Sequence, residues 1–465
     1  AGWGAWWRAR GSRGARNHSG PDLRMKLTFR SRRTPSHIRH RLSTDVEIVV
    51  LYEACFDVLP KFMFAPGEGL AGKQPPGTAA AYMTPDKSRI ACFQFGCCLA
   101  RLATPGTEGG VLNVLIDTGL GCTDVPSYIP ANSEIRPLVD TLRTAGVEPA
   151  SVHMVVHTHL HGDHVGWNVR PAADNVPTVG DAPEVPTFPN ATHWVHADEW
   201  GYAQHEGCPW AELTRKKFGP LQAAGMLQLF EGEGGAIDPA RAPQLSFVPT
   251  PGHTPGHIAV CVTPVGEAAP RAVYVGDALH NPAQVERPEW SPHFDCCRWA
   301  GKLVTAGWTA GMRRSAAEGG SWRATTSAEQ RRRLLEQLAT GKALLLSPHF
   351  PAPGMGEVRR AAPAQHAAKE GGGGSAGQGG RSAAGGGRGG AAEYEYSPLV
   401  LQGVEPEAAV EAEARAAEAA VEVVAAGAAG QVAAGMDGDG ACRPCAKTWR
   451  DGSWAVRAPQ AETDS

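Results

Sequence analysis

The sequence predicts an α/β (α+β) fold in which two sheets pack face to face and helices lie outside them. Three observations predict it. Short apolar runs bounded by turn residues recur before residue 120 and again between 190 and 275, which is the pattern of strands. Two segments, 134–145 and 327–339, carry apolar residues at helical spacing. Histidines and aspartates with metal-ligand character are spread over more than 230 residues among these runs, so one unit spans that interval. Packed layers of sheet and helix are the stable way to bury such faces, and 42% hydrophobic residues suffice for a sizeable core.

Residues 1–44 hold 11 Lys and Arg against one acid, Asp22. This Arg-, Ser- and Gly-rich stretch reads as an organelle transit peptide or as non-native upstream sequence, and no apolar segment of the secretory kind follows it. The remainder has 33 basic and 46 acidic residues, a net charge of −13, which gives no reason to expect a nucleic-acid partner. No run of 18 apolar residues exists, so no membrane-spanning helix is expected. Eleven cysteines, an odd number at irregular spacing, do not form a disulfide framework and point to a reducing compartment. The expected location is intracellular: cytoplasm, or plastid or mitochondrion if 1–44 is a transit peptide.

The runs 46–51, 90–95, 98–102 and 111–116 read as successive strands. Segment 134–145, with Ile135, Leu138, Val139 and Leu142 on one face and Gly146 after it, reads as a helix with a C-terminal glycine. A strand at 152–157 follows, then a Pro- and Ala-rich loop at 171–188. Thr192–His196 is a strand leading into a helix from Ala197, and Leu245–Pro249, Ile258–Val262 and 272–275 are further strands. Helix 327–339 and a last strand at 394–401 close a domain over 45–401. Segments 296–324 and 365–392 read as inserted loops, the second with 12 glycines between 371 and 390. Residues 402–465 read as an Ala/Glu-rich disordered tail in which Cys442 and Cys445 are a chance pair.

The β-branched run 152–156 feeds into His159, His161, Asp163 and His164, an H-x-H-x-D-H cluster on the loop past a buried strand. Side chains at i and i+2 share one side of an extended backbone, so His159 and His161 reach one ion while Asp163 and His164 point elsewhere. Imidazole and carboxylate suit zinc and similar metals. As ordinary core residues they would strand several polar groups at roughly 1–3 kcal/mol each, a cost that metal binding removes.

This motif resembles that of the metallo-β-lactamase superfamily, and four further stretches agree with it over roughly residues 46–401. Ile116-Asp117-Thr118-Gly119 resembles its strand-end D-T-G turn. The segment Thr250-Pro251-Gly252-His253-Thr254-Pro255-Gly256-His257 resembles its T-P-G-H element, Tyr274-Val275-Gly276-Asp277 the strand with the bridging aspartate, and Ser347-Pro348-His349-Phe350-Pro351 the last ligand loop. The resemblance implies a four-layer αββα sandwich. It implies two divalent ions, zinc ahead of iron, manganese or cobalt. By motif His159, His161 and His253 hold one ion, Asp163, His164 and His349 the other, and Asp277 bridges. His257 resembles a structural residue of the family. Gly162 and Gly252 are expected to permit tight turns.

The implied function is hydrolysis of a lactone, ester or phosphotriester by a hydroxide shared between two metals. Asp163 is the expected proton carrier. The segment His349-Phe350-Pro351-Ala352-Pro353-Gly354 is similar to the lactonase-like and organophosphate-hydrolase-like branch. Quorum-quenching lactonases place a tyrosine three residues after the bridging aspartate; here His280 stands there, expected either to polarise a substrate oxygen or to support the ligands from behind, a departure that argues against acyl-homoserine-lactone specificity. The alternatives are a thioester hydrolase like glyoxalase II and a non-catalytic or redox metal-binding member. Trp167, Trp200, Trp290 and Phe350 are candidate pocket walls. His157, His193, His196 and His205 read as supporting or surface histidines. The expected partner is a small-molecule substrate, with no nucleic acid and no membrane; no oligomeric state is implied.

Overall fold

In the computed structural model the described residues are 35–58, 83–84, 90–103, 110–126, 129, 135–172, 184–205, 208–292, 295, 327–362 and 393–399. The readings made at 1–34, 296–324, 365–392 and 402–465, including the Cys442/Cys445 pair, lie outside them. The chain divides into two compact units, 1–170 with 184–413 and 171–183 with 414–465; both large sheets and the site belong to the first.

The strands of the first half are β1 (His37–Arg41), β2 (Val46–Val58), β3 (Ile90–Ala103), β4 (Val111–Ile116) and β5 (Met154–Val156). After the short α2 (Gly162–Val165) and the ribbon strands β6 (Val169–Pro171) and β7 (Glu184–Pro186) come β8 (Thr192–His196) and β9 (Leu227–Phe230). Helix α1 (Leu138–Thr144) precedes β5, and α3 (Ala197–Gln204) and α4 (Ala211–Ala223) separate β8 from β9. One seven-stranded sheet runs β1-β2-β3-β4-β5-β8-β9, with β4, β5, β8 and β9 parallel to one another.

The second sheet contains β10 (Gly235–Ala236), β11 (Leu245–Pro249), β12 (Ile258–Val262), β13 (Ala272–Tyr274), β14 (Leu344–Leu346), β15 (Met355–Arg360) and β16 (Tyr394–Pro398), hydrogen-bonded in that order. A short α5 (Ala283–Glu286) and the long α6 (Ser327–Gly341) lie between β13 and β14, which pair in parallel.

Alternation along the strands explains the layers. Ile48, Val50 and Tyr52 of β2, Val114 and Ile116 of β4, Val260 of β12 and Tyr274 of β13 meet in one core between the sheets. The opposite faces carry Val49, Leu51, Leu99 and Leu115, which pack on Leu138 and Leu142 of α1, and Val273 and Leu345, which pack on Leu334, Leu335 and Leu338 of α6. Helices therefore cover the outer side of each sheet, and the α/β architecture expected from the sequence is the one observed.

Four differences from the sequence reading have physical causes. The sheet begins before residue 45: His37–Arg41, inside the segment read as an extension, pairs antiparallel with Glu47–Leu51 as an edge strand. Its Arg39 and Arg41 pair with Glu47, so charge that resembled a targeting segment serves a strand edge. Segments 90–95 and 98–102 are one strand, because Gly96 lies where a Cβ would stand 2.1 Å from Leu51 O and is needed for close pairing, not for a turn. Helix 134–145 shortens to Leu138–Thr144 behind Pro137, and α4 and β9 were not foreseen. Neither Gly162 nor Gly252 has a positive φ; Gly252 is required by space, since a Cβ would sit 2.8 Å from Ser327 Cα.

His157 and His193 lie buried against each other, Nε2 to Nδ1 at 3.3 Å, beneath Phe218 of α4. Burial pushes His193 down to about 3. A folded-state value below the unfolded one means that stability is fully present above about pH 6.5 and is lost as pH falls from there towards 3. Replacing His193 by Gln should flatten the pH dependence of unfolding free energy between pH 6.5 and 5 by about 1 kcal/mol per pH unit, measured by urea denaturation of metal-free protein. An unchanged slope would mean that His193 accepts a proton in the folded chain.

Candidate metal centre

Strand direction brings the candidate ligands to one edge. Asp117 follows β4, the cluster from His159 to His164 follows β5, Asp277 follows β13 and His349 follows β14; these strands are parallel within each sheet, so their carboxyl ends lie together. His253 sits on the β11–β12 turn, which antiparallel pairing of β12 with β13 returns to the same edge. Strands β2 and β3 overrun β4: Cys98 is the β3 residue opposite Ile116, so Phe93, Gln94 and Phe95, still paired with β2, extend past the end of β4 beside the site.

The seven predicted ligands are all buried and brought together. Ring nitrogens and carboxylate oxygens of His159, His161, His253 and Asp277 lie within 4.8 Å of one another, as do those of Asp163, His164 and His349. Asp277 joins the two groups. Its Oδ2 is 3.1 Å from His253 Nε2 and 3.7 Å from His159 Nε2, while Oδ1 is 3.0 Å from both His164 Nε2 and His349 Nε2. Asp163 Oδ2 lies 3.7 Å from His164 Nε2 and 3.9 Å from His349 Nε2. Nitrogen donors on one tetrahedral ion at about 2.0–2.1 Å stand roughly 3.3 Å apart, so these spacings fit. Nε2 of His159 and of His161 makes no hydrogen bond although buried, a loss of about 1–3 kcal/mol each that a metal bond removes. The residues present thus fit divalent ions.

The other side of each imidazole is anchored. Asp117, at φ +64°, accepts from Thr158 N and Thr158 Oγ1 at 2.8 Å and meets His164 Nδ1 at 2.9 Å. His349 Nδ1 is 2.8 Å from Gln94 O, so it donates there and leaves Nε2 free for an ion. His253 Nδ1 is 3.1 Å from Asp295 Oδ1, and Asp295 Oδ2 is 3.2 Å from buried Arg331 of α6. Glu199 accepts from Leu160 N at 3.0 Å and Gly256 N at 3.1 Å, fastening the two loops that carry His159, His161 and His253. His257 is structural in its contacts: Nε2 accepts from Asp277 N at 3.0 Å, so its Nδ1–H donates to Thr250 Oγ1 at 2.7 Å.

The electrostatics follow from burial and neighbours. Burial pushes Asp277 up, but His164, His349, His280 and His253 around it hold its carboxyl well below the ordinary range. Burial lowers His164, yet Asp277, Asp163 and Asp117 raise it well above its usual value, and His253 is lifted to about 9 in the same way. Burial dominates at His159 and His161 and drives both down, as a neutral ligand requires. Asp295, though buried, is held down at about 2 by His253 and Arg331.

His280 is buried and faces Asp277, with Nε2 3.0 Å from Oδ2, and its ring stacks on His349 at 5.3 Å. The aromatic candidates divide differently from the sequence reading. Phe350 is core, edge-on to Tyr396; Trp200 packs on Phe218; Trp167 is buried with its indole on Glu53; Trp290 packs on the apolar cluster that includes Phe93 and Phe95. The rings that touch the centre are others: Phe93 stacked on His349 at 4.7 Å, Phe95 edge-on to it at 5.3 Å, and Trp210 at 4.9 Å from His161. Nothing local in the sequence marks Phe93 or Phe95, since only strand overrun takes them there; Asp295 and Arg331 are 36 positions apart and meet only in three dimensions. His196 caps α3, accepting from Asp198 N.

Two facing sheets with a buried histidine–aspartate cluster at their common edge define a class: an α/β domain built around a candidate metal site. The chain belongs to the metallo-beta-lactamase superfamily, whose sequence profile matches residues 108–348. It is 32% identical over 145 residues to the N-acyl homoserine lactonase AttM of Rhizobium radiobacter, covering 30% of this chain and 47% of that protein. The AttM of Agrobacterium fabrum is 32% identical over 140 residues, 30% and 45% of the two chains. The chain thus spans about half the length of these curated relatives. Among solved structures it is similar to the hydrolase AbOPH of the beta lactamase superfamily (TM-score 0.53, 19% identity, 79% of this chain and 99% of that one). It is also similar to AidC, a dizinc quorum-quenching lactonase (TM-score 0.51, 16% identity, 79% and 99%). At these identities the two structures establish the shared fold.

Arg331→Met should leave Asp295 buried without its cation and loosen His253. Metal affinity, measured by competition with a chromogenic chelator, is expected to fall about 10- to 100-fold, with Arg331→Lys in between. Equal affinity in all three proteins would remove Arg331 from the support of His253.

Proposed function

We propose that this chain is a metal-dependent hydrolase of a lactone, ester or phosphotriester. The observation that carries the reading is the division of Asp277: one oxygen faces His159 and His253, the other His164 and His349. A carboxylate so placed suits a bridge between two ions. In this reading His159, His161 and His253 hold one ion and Asp163, His164 and His349 the second, zinc first among the metals these donors accept. Such ions, when bound, bring the pKa of a shared water to about 7 and polarise a carbonyl or phosphoryl oxygen.

The chain's own residues do the rest. Asp163, with an oxygen beside both His164 and His349, is the proton carrier between the attacking water and the leaving oxygen. His280 orients Asp277, donating from Nε2 to Oδ2. Phe93 and Phe95 form a dry wall over His349, which strengthens charge interactions at the reacting centre. Departure of an alkoxide needs less acid assistance than departure of an amine, and a single carboxylate suffices for it. The AttM relatives favour the lactone among the three substrate classes.

His161→Ala, Asp277→Ala and His349→Ala should each abolish turnover, a loss of at least 1,000-fold, while far-UV circular dichroism stays that of the parent. Metal per chain by elemental analysis, with a panel of a lactone, an aryl ester and a phosphotriester, tests the reading. Two equivalents with turnover of any of the three support it; one equivalent of iron with no turnover, or wild-type rates in Asp277→Ala, would overturn it.

A further inference from the structure

Glu53 is a buried acid that no step above uses. It lies on β2 where the register slips between Tyr52 and Ala54, so it is the extra residue of a β-bulge. A bulge of this kind re-aims one side chain, and this one turns a carboxylate into the support behind the metal loop. Oε2 accepts from Leu120 N at 2.7 Å and Oε1 from Trp167 Nε1 at 2.6 Å. Leu120 closes the turn that begins at Asp117; Trp167 ends the segment that begins at Asp163.

The two segments are already zipped together. Thr118 N donates to His164 O at 2.8 Å, Gly166 N to Gly119 O at 2.8 Å, and Trp167 N to Thr118 O at 3.1 Å. Gly119 has φ +60°, and a Cβ there would stand 1.6 Å from Glu53 Oε2, so the turn leaves room for the carboxylate and for nothing else. Burial pushes Glu53 up against the pull of the donors at Leu120, Trp167 and Leu138, leaving it at about 8. A carboxyl group kept at such a desolvation cost, with donors converging on both oxygens, has a specific task.

We propose that Glu53 is the positioning residue for the Asp163/His164 half of the centre. It pins the 117–120 turn and the 163–167 segment to one point, and through them sets the direction of Asp163 and of the Asp117–His164 pair. The His159/His161/His253 half is fastened separately, by Glu199 and by Asp295 with Arg331. The consequence is selective: loss of the Glu53 clamp loosens one half only. The metal arm of this inference rests on the dinuclear reading above; the clamp itself does not.

Glu53→Gln keeps the shape but turns an amide N–H₂ towards a donor. Trp167→Phe removes one donor and leaves the carboxylate, a gentler second variant should the first fold poorly. In metal-free protein, amide exchange at Thr118, Gly166 and Trp167 should quicken about tenfold or more in either variant, with the β5 amides of Val155 and Val156 unchanged. Unchanged protection at all three amides overturns the proposal. In zinc-titrated protein, one equivalent should keep wild-type affinity while the other weakens about tenfold. Equal weakening of both equivalents, or of neither, also overturns it. A wild-type chain that binds one equivalent defeats the dinuclear reading instead, and the exchange result then decides the clamp alone.

Discussion

Five imidazoles surround one carboxylate at the edge of this fold. Asp277 is close to His159, His164, His253, His280 and His349, and almost no water reaches any of them. A buried carboxylate needs compensating charge or donors, and each buried ring needs an acceptor or an ion at the nitrogen it turns inwards. Protein groups alone meet this demand incompletely, since Nε2 of His159 and His161 has no hydrogen-bond partner. Divalent cations satisfy both needs at once. Much else near this edge of the molecule serves to hold the six groups still.

That holding is done from behind, by acids in low-dielectric surroundings. Asp117 meets His164, Asp295 meets His253 and carries Arg331 as its counter-charge, and Glu199 gathers the amides of two loops. Each contact fixes which ring nitrogen bears hydrogen and which faces the centre. Asp117 does so from a left-handed backbone conformation that a non-glycine residue adopts at a cost, kept because its carboxylate is tied to Thr158 and His164 together. The strain and the triple contact are one arrangement: strand β4 must reverse sharply there for the carboxylate to lie under the metal loop.

What was legible in the sequence was what the chain keeps local. His159 to His164 occupy six positions, and the spacing alone splits them into two directions; His253, Asp277 and His349 were placed by motif resemblance, and the fold carries all of them to one edge. The sheets were legible through short apolar runs bounded by turn residues. Residues whose place depends on strand length were not. Phe93 and Phe95 reach His349 because β3 outruns β4, and no periodicity states where a partner strand stops. The Asp295–Arg331 pair needs α6 packed on the second sheet before its charges meet. His37–Arg41 was hidden by charge: an edge strand bearing arginines has the composition of a basic tail until Glu47 is seen opposite it.

The two halves of the centre differ in their surroundings, and the difference bears on chemistry. On the His253 side the rings meet other imidazoles, Trp210 and the Asp295–Arg331 pair, a polar environment in which charge is already balanced. On the His349 side Phe93 lies flat on the imidazole and Phe95 meets it edge-on, backed by Phe56 and Ile129, so dipoles that answer a new charge are few. Charge developing on that side is felt most strongly by Asp163 and His164, the nearest groups of the same half. The proposed hydrolysis moves a proton and creates an oxyanion, and its proposed proton carrier is better placed on the apolar side. Asp163 stands there, within 4 Å of both His164 and His349.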